Sequence, residues 1–412
     1  MGQLAANGGP AIRDVPFPPW PDYDESERTA LGRVLDSRKW WATEGTEVRA
    51  FEDEWASYTK AQGAVAVTNG THALELALLG LGIGAGDEVI VPAWSFMATI
   101  AAVLAINAIP IVVDIDAITG TIDPQAVSKA VTDRTRAILP VHIAGSMADM
   151  DAVLDIAASN DLLVLEDAAH AHGSTWGGVH AGTLGDAGTF SFQASKLMTA
   201  GEGGAVVSSR SDLIDRVRSL GDCGRRPGTW YYRHFELAEN LRMTEWQGAV
   251  LRAQLGRFPA QQARRAGNAD FLNHALAEIP GVAPQGRFDK CTSQGNYCYV
   301  VSFDPEMFRD RDRVRTALLA EGMPLTTAYP PLHMLDMFSE TGGLGPRLRR
   351  NGSHPDYTAY SMPVAERLAE TTIWFETAVL MGSREDAQSV VDAIEKVFTC
   401  KDELAQLQPT AF

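Results

Sequence analysis

The amino-acid sequence predicts an α/β protein with a mostly parallel sheet flanked by helices, followed by a smaller C-terminal α/β domain. Two observations predict this fold class. The first 260 residues alternate between short runs of valine, isoleucine and leucine and longer amphipathic runs. Continuous apolar runs indicate strands that are buried on both faces, which is typical of a parallel sheet covered by helices. Later in the chain the pattern changes, because residues 296–304 alternate as in a half-exposed strand.

The large sheet is predicted from seven apolar segments. Helical patterns follow the first two of them, over residues 71–82 and 95–107, and further helices are predicted at 312–322 and 384–398. The predicted strands of the large sheet are residues 63–68, 87–94, 109–116, 136–143, 162–169, 187–192 and 204–209.

A long helical stretch lies between the two predicted domains. Residues 240–279 are predicted to form one long helix or two, interrupted near Pro259. We expect a large domain over residues 25–260 and a small domain over residues 261–412, with residues 1–24 packing nearby.

Composition argues against several classes of protein. The chain has 412 residues, 45% hydrophobic and 21% charged, as is ordinary for a globular protein. A net charge of −17 argues against binding of nucleic acid by the protein as a whole. No apolar run reaches membrane-spanning length and no apolar signal core is present, so we expect a cytoplasmic protein. The four cysteines lack metal-ligand spacing and do not indicate disulfides.

The segment TNGTHAL, residues 68–74, stands where a predicted strand ends and a helix begins. Gly70 permits close approach to the backbone, and Asn69 or Thr71 can cap the helix. The free N–H groups and the positive end of the helix dipole favour an anion such as phosphate. An ordinary capped turn has the same pattern, so this segment alone leaves both interpretations open.

The segment EDAAHAHG, residues 166–173, places Asp167 at the carboxyl end of an apolar strand. Ligands of open α/β sheets bind outside these strand ends, and a carboxylate there needs a cationic partner. His170 and His172 could join a carboxylate as metal ligands, but no further ligand has the spacing of a metal site. The other interpretation is that both are core histidines.

The segment SFQASKLMTAGEGG, residues 191–204, places Lys196 between a predicted core strand and a glycine-rich turn, in a chain with only seven lysines. Such a lysine either lies at the surface or has a lowered pKa suited to nucleophilic chemistry. Together with Asp167 and the helix N-terminus it completes the parts of a pyridoxal 5'-phosphate (PLP) site. These parts are a lysine for the Schiff base, a carboxylate for the pyridinium nitrogen and a helix N-terminus for the phosphate.

Five motifs, dispersed over the chain, resemble one enzyme family. SFQASKLMTAGEGG, EDAAHAHG, TNGTHALELAL, VPAWSFMAT and ENLRMTEWQGAVLRAQL are similar to the DegT/DnrJ/StrS sugar aminotransferases. The resemblance covers nearly the whole chain, from GGPAI to the last predicted helix. It implies PLP fold type I, the architecture of aspartate aminotransferase, and PLP-dependent transamination.

The resemblance also implies roles for individual residues. Lys196 would form the Schiff base with PLP and move protons, and Asp167 would pair with the pyridine nitrogen. His170 would lie near the ring oxygen, and Phe96 would stack on the face of the ring. The residues implied around the phosphate are Gly70, Thr71, Ser191 and Gln193.

The resemblance further implies a homodimer with shared active sites, because Asn240 would reach the phosphate of the neighbouring subunit. Some members of the family are sugar dehydratases in which a histidine replaces the Schiff-base lysine. Lys196 occupies that position here, which favours transamination.

Within the family, RKWWATEGTEV and PVHIAGSMADMDAV are similar to one subgroup, which contains the glutamine-dependent ketocyclitol (scyllo-inosose) aminotransferases of aminoglycoside pathways and the 3-amino-5-hydroxybenzoate synthases. NYCYVVSFDPEMF and TAYPPLHMLDMF are more similar to the cyclitol enzymes, and EDAAHAHG is more similar to the benzoate synthases. The expected reaction is ping-pong transfer of an amino group from glutamine or glutamate to the keto group of a small polyhydroxylated ring.

The sequence departs from the subgroup at one place. Where the subgroup usually has a histidine pair, this chain has Phe375, Glu376 and Thr377. Glu376 either faces the substrate or points to solvent.

Three alternatives remain open. The first is an aminodehydratase that aromatises a ring, as in 3-amino-5-hydroxybenzoate synthesis. The second is a nucleotide-sugar aminotransferase. Such an enzyme would need a wider and more basic substrate groove, which could be formed by Arg225, Arg226 and Arg233. The third is a non-catalytic regulator that binds the cofactor, which Lys196 and Asp167 disfavour.

Overall fold

Two sheets dominate the computed structural model, which describes residues 2–344, 348 and 354–409. The strands are β1 Gly63–Val67, β2 Glu88–Pro92, β3 Ile109–Val113, β4 Thr135–Ile138, β5 Leu163–Asp167, β6 Thr175–Trp176, β7 Val179–His180, β8 Ala187–Ser191, β9 Gly204–Ser208, β10 Val282–Pro284, β11 Cys291–Ser293, β12 Cys298–Phe303, β13 Leu325–Thr327 and β14 Thr372–Glu376. The α-helices are α1 Glu25–Ser37, α2 Glu47–Thr59, α3 Gly70–Gly80, α4 Ala98–Ala105, α5 Pro124–Ala130, α6 Met150–Ser159, α7 Ser211–Gly221, α8 Glu245–Leu276, α9 Pro305–Phe308, α10 Arg311–Ala320, α11 Pro363–Thr371, α12 Ala378–Met381 and α13 Arg384–Thr399.

The large sheet has seven strands in the order β1-β9-β8-β5-β4-β2-β3, and all seven predicted strands are present in it. The strands from β8 to β3 run parallel to their neighbours, whereas β9 is antiparallel to both β1 and β8. The exception has a physical reason. A parallel connection needs a crossover, usually a helix, and residues 192–203, which join β8 to β9, contain no helix.

The predicted long helix is a single helix, α8, of 32 residues. It passes Pro259 without a break, because this proline lies on the exposed face, where water can reach the carbonyl that it leaves unbonded. The helix begins at Glu245, whose buried carboxylate accepts hydrogen bonds from the N–H groups of Thr46, Glu47 and Val48 at the start of α2. Although α8 is long, neither it nor any other helix within the described ranges is apolar enough to cross a membrane.

The small sheet is antiparallel throughout, in the order β10-β12-β14-β13. Of its strands only β12 was predicted. Strands β10 and β13 have three residues each, which is too short for a periodic pattern to emerge. On β12 the side chains alternate between two cores: Tyr299 and Val301 pack in the core of the small sheet, whereas Cys298 and Val300 pack against the large one.

A buried ion pair holds the N-terminal segment on the small sheet's side of the molecule. Lys396 Nζ lies 2.8 Å from the Glu321 carboxylate and donates to the Pro10 carbonyl at 2.6 Å. The same carboxylate accepts hydrogen bonds from the N–H groups of Ala5 and Ile12. Because both charges and both backbone donors are paired, the cost of burying this ion pair is offset.

Candidate active site

The predicted lysine, aspartate and phosphate-site residues converge at one edge of the large sheet. Asp167 is the last residue of β5, Ser191 is the last residue of β8, and Lys196 follows β8 in the loop toward β9. Strands β5 and β8 are parallel neighbours, so their carboxyl ends meet at the same edge. Gly70, at the start of α3, follows β1, which is two strands away from β8 and ends at the same edge, and it lies close against Ser191. This arrangement follows the rule that ligands of open α/β sheets bind at the carboxyl ends of strands.

Lys196 has a lowered pKa. Burial lowers it to about 8, and the nearby Cys298 thiol and Asp167 carboxylate oppose that shift. The Nζ atom lies 4.3 Å from the centroid of the Tyr297 ring, over its face. A cation–π contact of this kind attracts the charged form, yet desolvation is the larger effect. Lys196 therefore has a fraction of neutral, nucleophilic amine near neutral pH that a surface lysine lacks.

Asp167 is a buried carboxylate with two hydrogen-bond donors. Its Oδ2 accepts from the Thr99 hydroxyl at 2.9 Å, and its Oδ1 accepts from the Ala169 N–H at 3.2 Å. Burial raises the pKa of Asp167, and these two hydrogen bonds and the charge of Lys196 act in the opposite direction. The Thr99 hydroxyl in turn lies 2.7 Å from that of Ser95, four residues earlier and just before α4 begins. The carboxylate is thus held in one orientation, in a place suited to a cationic ligand.

His170 and His172 are two residues apart and have different environments. His170 Nδ1 accepts the Ala144 N–H at 3.3 Å, and its ring stacks on Tyr297 with centroids 4.2 Å apart. Burial, followed by the charge of Lys196, lowers the pKa of His170 well below its usual value, so the neutral ring carries its proton on Nε2.

His172 is the core histidine of the pair. Its ring is fully buried and lies within 5.4–5.9 Å of the rings of Trp55, Phe190 and Phe192. Neither ring nitrogen has a hydrogen-bond partner among the described residues, and burial lowers its pKa to about 3. The interpretation of two core histidines therefore applies to His172, whereas His170 faces the site.

The start of α3 forms a concave site beside Ser191. The Asn69 side chain accepts the His72 N–H at 2.9 Å and so caps the helix. A Cβ atom on Gly70 would come 2.8 Å from Ser191 Cβ and 3.2 Å from Ser191 Oγ. Glycine therefore allows the first turn of α3 to approach Ser191 closely, which brings the Ser191 hydroxyl beside the start of the helix. Thr71, in the first turn, is half-buried beside it.

Three other predicted site residues are half-buried or exposed. Gln193 folds back, with its Oε1 accepting from the N–H and the hydroxyl of Ser195. Phe96 is half exposed and its ring lies 5.6 Å from that of Tyr329. Asn240 is exposed, and within the described residues its side chain makes no hydrogen bond.

Sequence reasoning missed the residues that cover the site from the small sheet's side. Tyr297 lies against both His170 and Lys196, and its hydroxyl is 2.7 Å from that of Ser195. Tyr329 and Trp374 lie against each other and near His170. No local pattern marks these residues. Thr99, near the start of α4, was also missed.

Known proteins resemble this chain along nearly its whole length. A protein of Streptoalloteichus tenebrarius, provisionally named an L-glutamine:3-amino-2,3-dideoxy-scyllo-inosose aminotransferase, is 41% identical over 407 residues, which cover 96% of this chain and 97% of that protein. The crystal structure of 3-amino-5-hydroxybenzoic acid synthase has a TM-score of 0.84 and 38% identity, covering 94% of this chain and 100% of that one. A Streptococcus pneumoniae protein, provisionally named a sugar aminotransferase and solved in its PMP form, has a TM-score of 0.83 and 26% identity, covering 96% and 100%.

These likenesses confirm the predicted fold class, an α/β protein of PLP fold type I with a mostly parallel central sheet. The sequence pattern of the DegT/DnrJ/EryC1/StrS aminotransferase family matches residues 21–395. The resemblance seen in the five sequence motifs is thereby confirmed, and the chain belongs to the DegT/DnrJ/EryC1/StrS aminotransferase family.

Proposed function

We propose that this aminotransferase uses PLP to move an amino group from L-glutamine or L-glutamate to the keto group of a small polyhydroxylated ring, a ketocyclitol or keto-sugar of natural-product biosynthesis. One observation carries the proposal. Lys196, with a pKa of about 8, and the buried Asp167 lie at the same sheet edge as the cradle formed by Gly70 and Ser191. The relative of Streptoalloteichus tenebrarius supports a ketocyclitol as the acceptor.

The residues at this edge fit PLP. The N-terminus of α3, where Gly70 lies close against Ser191 and Thr71 is half-buried, suits a phosphate. The Asp167 carboxylate suits a protonated pyridine nitrogen, which would also relieve the cost of burying that charge. The half-exposed Phe96 ring is available for the face of the pyridine ring, and Gln193 adds a polar group near the phosphate.

When bound, PLP supplies an electron sink that stabilises the carbanion left at a substrate carbon after a proton departs. The protein must then provide a base for that proton. Lys196 Nζ is suited to this role, because its neutral form can take the proton and its charged form can return it. The Tyr297 ring over the amine excludes water from this side of Nζ, which limits exchange of the proton with solvent.

Asp167 and His170 would set the electronic state of the site. An ionised Asp167 would favour a protonated pyridine nitrogen, and the Thr99 hydroxyl donates a hydrogen bond that holds the carboxylate in place. His170, neutral and with its proton on Nε2, can donate a hydrogen bond to the ring oxygen of the cofactor. Its stacking on Tyr297 fixes the plane of the imidazole.

We further propose a homodimer in which Asn240 reaches the phosphate of the partner's site. Residues 222–243 form an arm whose large side chains Trp230, Tyr232 and Leu237 are exposed on a single chain. A cavity of about 660 Å³ lies between this arm and α2. Exposed aromatic residues beside a cavity are typical of a surface that a partner covers.

The four free cysteines are consistent with a cytoplasmic location.

A second candidate function is ring aromatisation coupled to amination, because the solved 3-amino-5-hydroxybenzoic acid synthase is 38% identical over nearly the whole chain. Nucleotide-sugar amination is less well supported. Arg225 pairs with Asp222, and Arg226 and Arg233 both stack on Phe235, so the arm's guanidinium groups already have contacts.

The test is spectroscopic. The purified protein is titrated with PLP, and L-glutamine, L-glutamate and L-alanine are then added in turn while the visible band is followed. We expect one donor to bleach the band and a keto-ring acceptor, such as 2-deoxy-scyllo-inosose, to restore it. An aromatic product formed with loss of water would indicate the second candidate. A protein that never acquires the band would overturn the proposal.

A further inference from the structure

Glu376 ends β14 on the face of the small sheet that looks toward the large domain. Side chains alternate along a strand, and on β14 Ile373 and Phe375 belong to the core of the small sheet whereas Trp374 packs against the large domain. Glu376 is two residues beyond Trp374 and therefore lies on the same face as that tryptophan.

The strand pairing brings Glu376 close to the catalytic edge. Glu376 is directly opposite Cys298 on β12, and the side chains of such a pair lie on the same face. Cys298 is the residue after Tyr297, whose ring contacts Lys196 and His170. Glu376 consequently lies close enough to Cys298 and Tyr297 to interact with both electrostatically, and these two residues are also neighbours of Lys196.

The Glu376 carboxylate differs from the fully buried carboxylates of this protein. Glu166, Glu245 and Glu321 each accept several hydrogen bonds. Glu376 is exposed, and among residues 2–344, 348 and 354–409 its carboxylate has no hydrogen bond and no ion pair. Although the residue is exposed, the protein around the Glu376 carboxylate displaces part of its water, and this desolvation raises the pKa of Glu376. No cationic side chain among the described residues opposes that shift. A ligand cation would supply the missing partner.

We propose that Glu376 determines acceptor specificity by binding a cationic amino group that the keto-ring acceptor already carries. The inference rests on the proposed function and narrows its substrate class to rings that have been aminated once before. A carboxylate and an ammonium group form a charge-assisted hydrogen bond, whereas a hydroxyl at the same ring position gains much less. An earlier amination step must therefore supply the substrate, and the product is a diamine.

The test compares two acceptors that differ at one position, 3-amino-2,3-dideoxy-scyllo-inosose and 2-deoxy-scyllo-inosose. The amino group of the first is replaced by a hydroxyl in the second. Acceptor kinetics are measured for the wild type, for Glu376→Gln, which removes the charge and keeps the shape, and for Glu376→Asp. Glu278→Gln is the matched control, because Glu278 is exposed on the surface beyond the end of α8.

We expect the wild type to prefer the aminated ring. Glu376→Gln should lower kcat/KM for that ring by roughly 10- to 100-fold, mainly through KM, and leave the hydroxylated ring nearly unchanged. Glu376→Asp should retain part of the preference, and Glu278→Gln all of it. The donor half-reaction with L-glutamine should be unaffected in every variant.

Other results would overturn the inference. Equal losses of kcat/KM for both rings in Glu376→Gln, or no loss for either ring, would mean that Glu376 does not distinguish the amino group from the hydroxyl. A shift of Glu376→Gln toward monomer in size-exclusion chromatography, without a change in preference, would assign the carboxylate to a subunit contact. Failure of the wild type in the donor half-reaction would instead overturn the proposed function itself, so the two failures are distinguishable.

Discussion

The Nζ atom of Lys196 lies 4.3 Å from the centroid of the Tyr297 ring. Lys196 follows a strand of the large sheet, whereas Tyr297 immediately precedes β12 of the small sheet. The two sheets therefore meet at the amine, and the Tyr297 ring covers one side of it. Because burial is the largest influence on the pKa of Lys196, this contact contributes to the lowered pKa of the amine.

Replacement of Lys196 should abolish the donor half-reaction. We expect Lys196→Ala to lose the lysine-linked visible band of the PLP-bound protein and to lower the rate of the half-reaction by roughly 1,000-fold or more, because both nucleophile and base are removed. Stopped-flow absorbance with L-glutamine measures both effects. Lys129→Ala, which removes an exposed lysine, should behave as wild type. The same visible band in Lys196→Ala would contradict the assignment.

Capture of PLP by the apoprotein should depend on pH. The pKa of Lys196 is lowered to about 8, so at pH 7 about a tenth of this amine is neutral, against less than about one in a thousand for an ordinary lysine. The capture rate should rise with pH and level off above about 8. Tyr297→Leu opens the site to water, so the midpoint should move upward. A midpoint near 10 in the wild type would show that burial does not lower this pKa.

Removal of the Thr99 hydroxyl should shift the acid limb of the pH–rate profile. The hydrogen bond from Thr99 lowers the pKa of Asp167, which burial raises. Thr99→Val should therefore raise that pKa further, by roughly one unit or more, and activity should be lost at a higher pH as the solution is acidified. Ser95→Ala removes only the neighbour of Thr99 and should shift the limb less. Identical profiles for Thr99→Val and wild type would exclude this role.

A methyl group on Gly70 should weaken cofactor binding. The Cβ of Gly70→Ala would come 2.8 Å from Ser191 Cβ, so the start of α3 and Ser191 would have to move apart at the proposed phosphate site. We expect the Kd for PLP to rise by roughly tenfold or more, since overpacking of this kind costs about 1–3 kcal/mol. Gly84→Ala is the control, because no atom lies within 4 Å of its added methyl group. Equal Kd values for the two variants would place the phosphate elsewhere.

Two inactive variants should complement each other if the sites are shared between subunits. Lys196→Ala and Asn240→Ala are co-expressed with different tags. In a mixed dimer, one site keeps its own Lys196 and receives the partner's Asn240, so it is intact. Random pairing of equal amounts predicts about a quarter of wild-type activity. Activity no higher than that of the separate variants, with mixed dimers isolated by both tags, would exclude a role of Asn240 across the interface.

Much of the fold could be predicted because it depends on local patterns. Buried parallel strands produce continuous apolar runs, and all seven strands of the large sheet were identified in that way. The short strands β10 and β13 produce no such pattern, because their position depends on pairing with β12 and β14 rather than on their own residues.

The residues of the candidate site likewise include some that the sequence predicts and some that it does not. Asp167, Ser191 and Lys196 could be predicted because strand ends are recognisable and the carboxyl ends of parallel strands share one edge. Thr99, Tyr297 and Trp374 could not be assigned to the site by pattern. Trp374, for example, reaches His170 from about 200 positions later in the chain, and local periodicity carries no information on such contacts.

The sequence by itself determined the fold class and the family, since these depend on short-range patterns and recognisable motifs. Only the tertiary structure decided that His170 faces the site while His172, two residues later, is enclosed by aromatic rings. It also decided which face of β14 carries Glu376. The physical reason is that the burial of a side chain, and hence its pKa, depends on its neighbours in space. Many of these neighbours are distant in sequence and come together only when the two sheets pack.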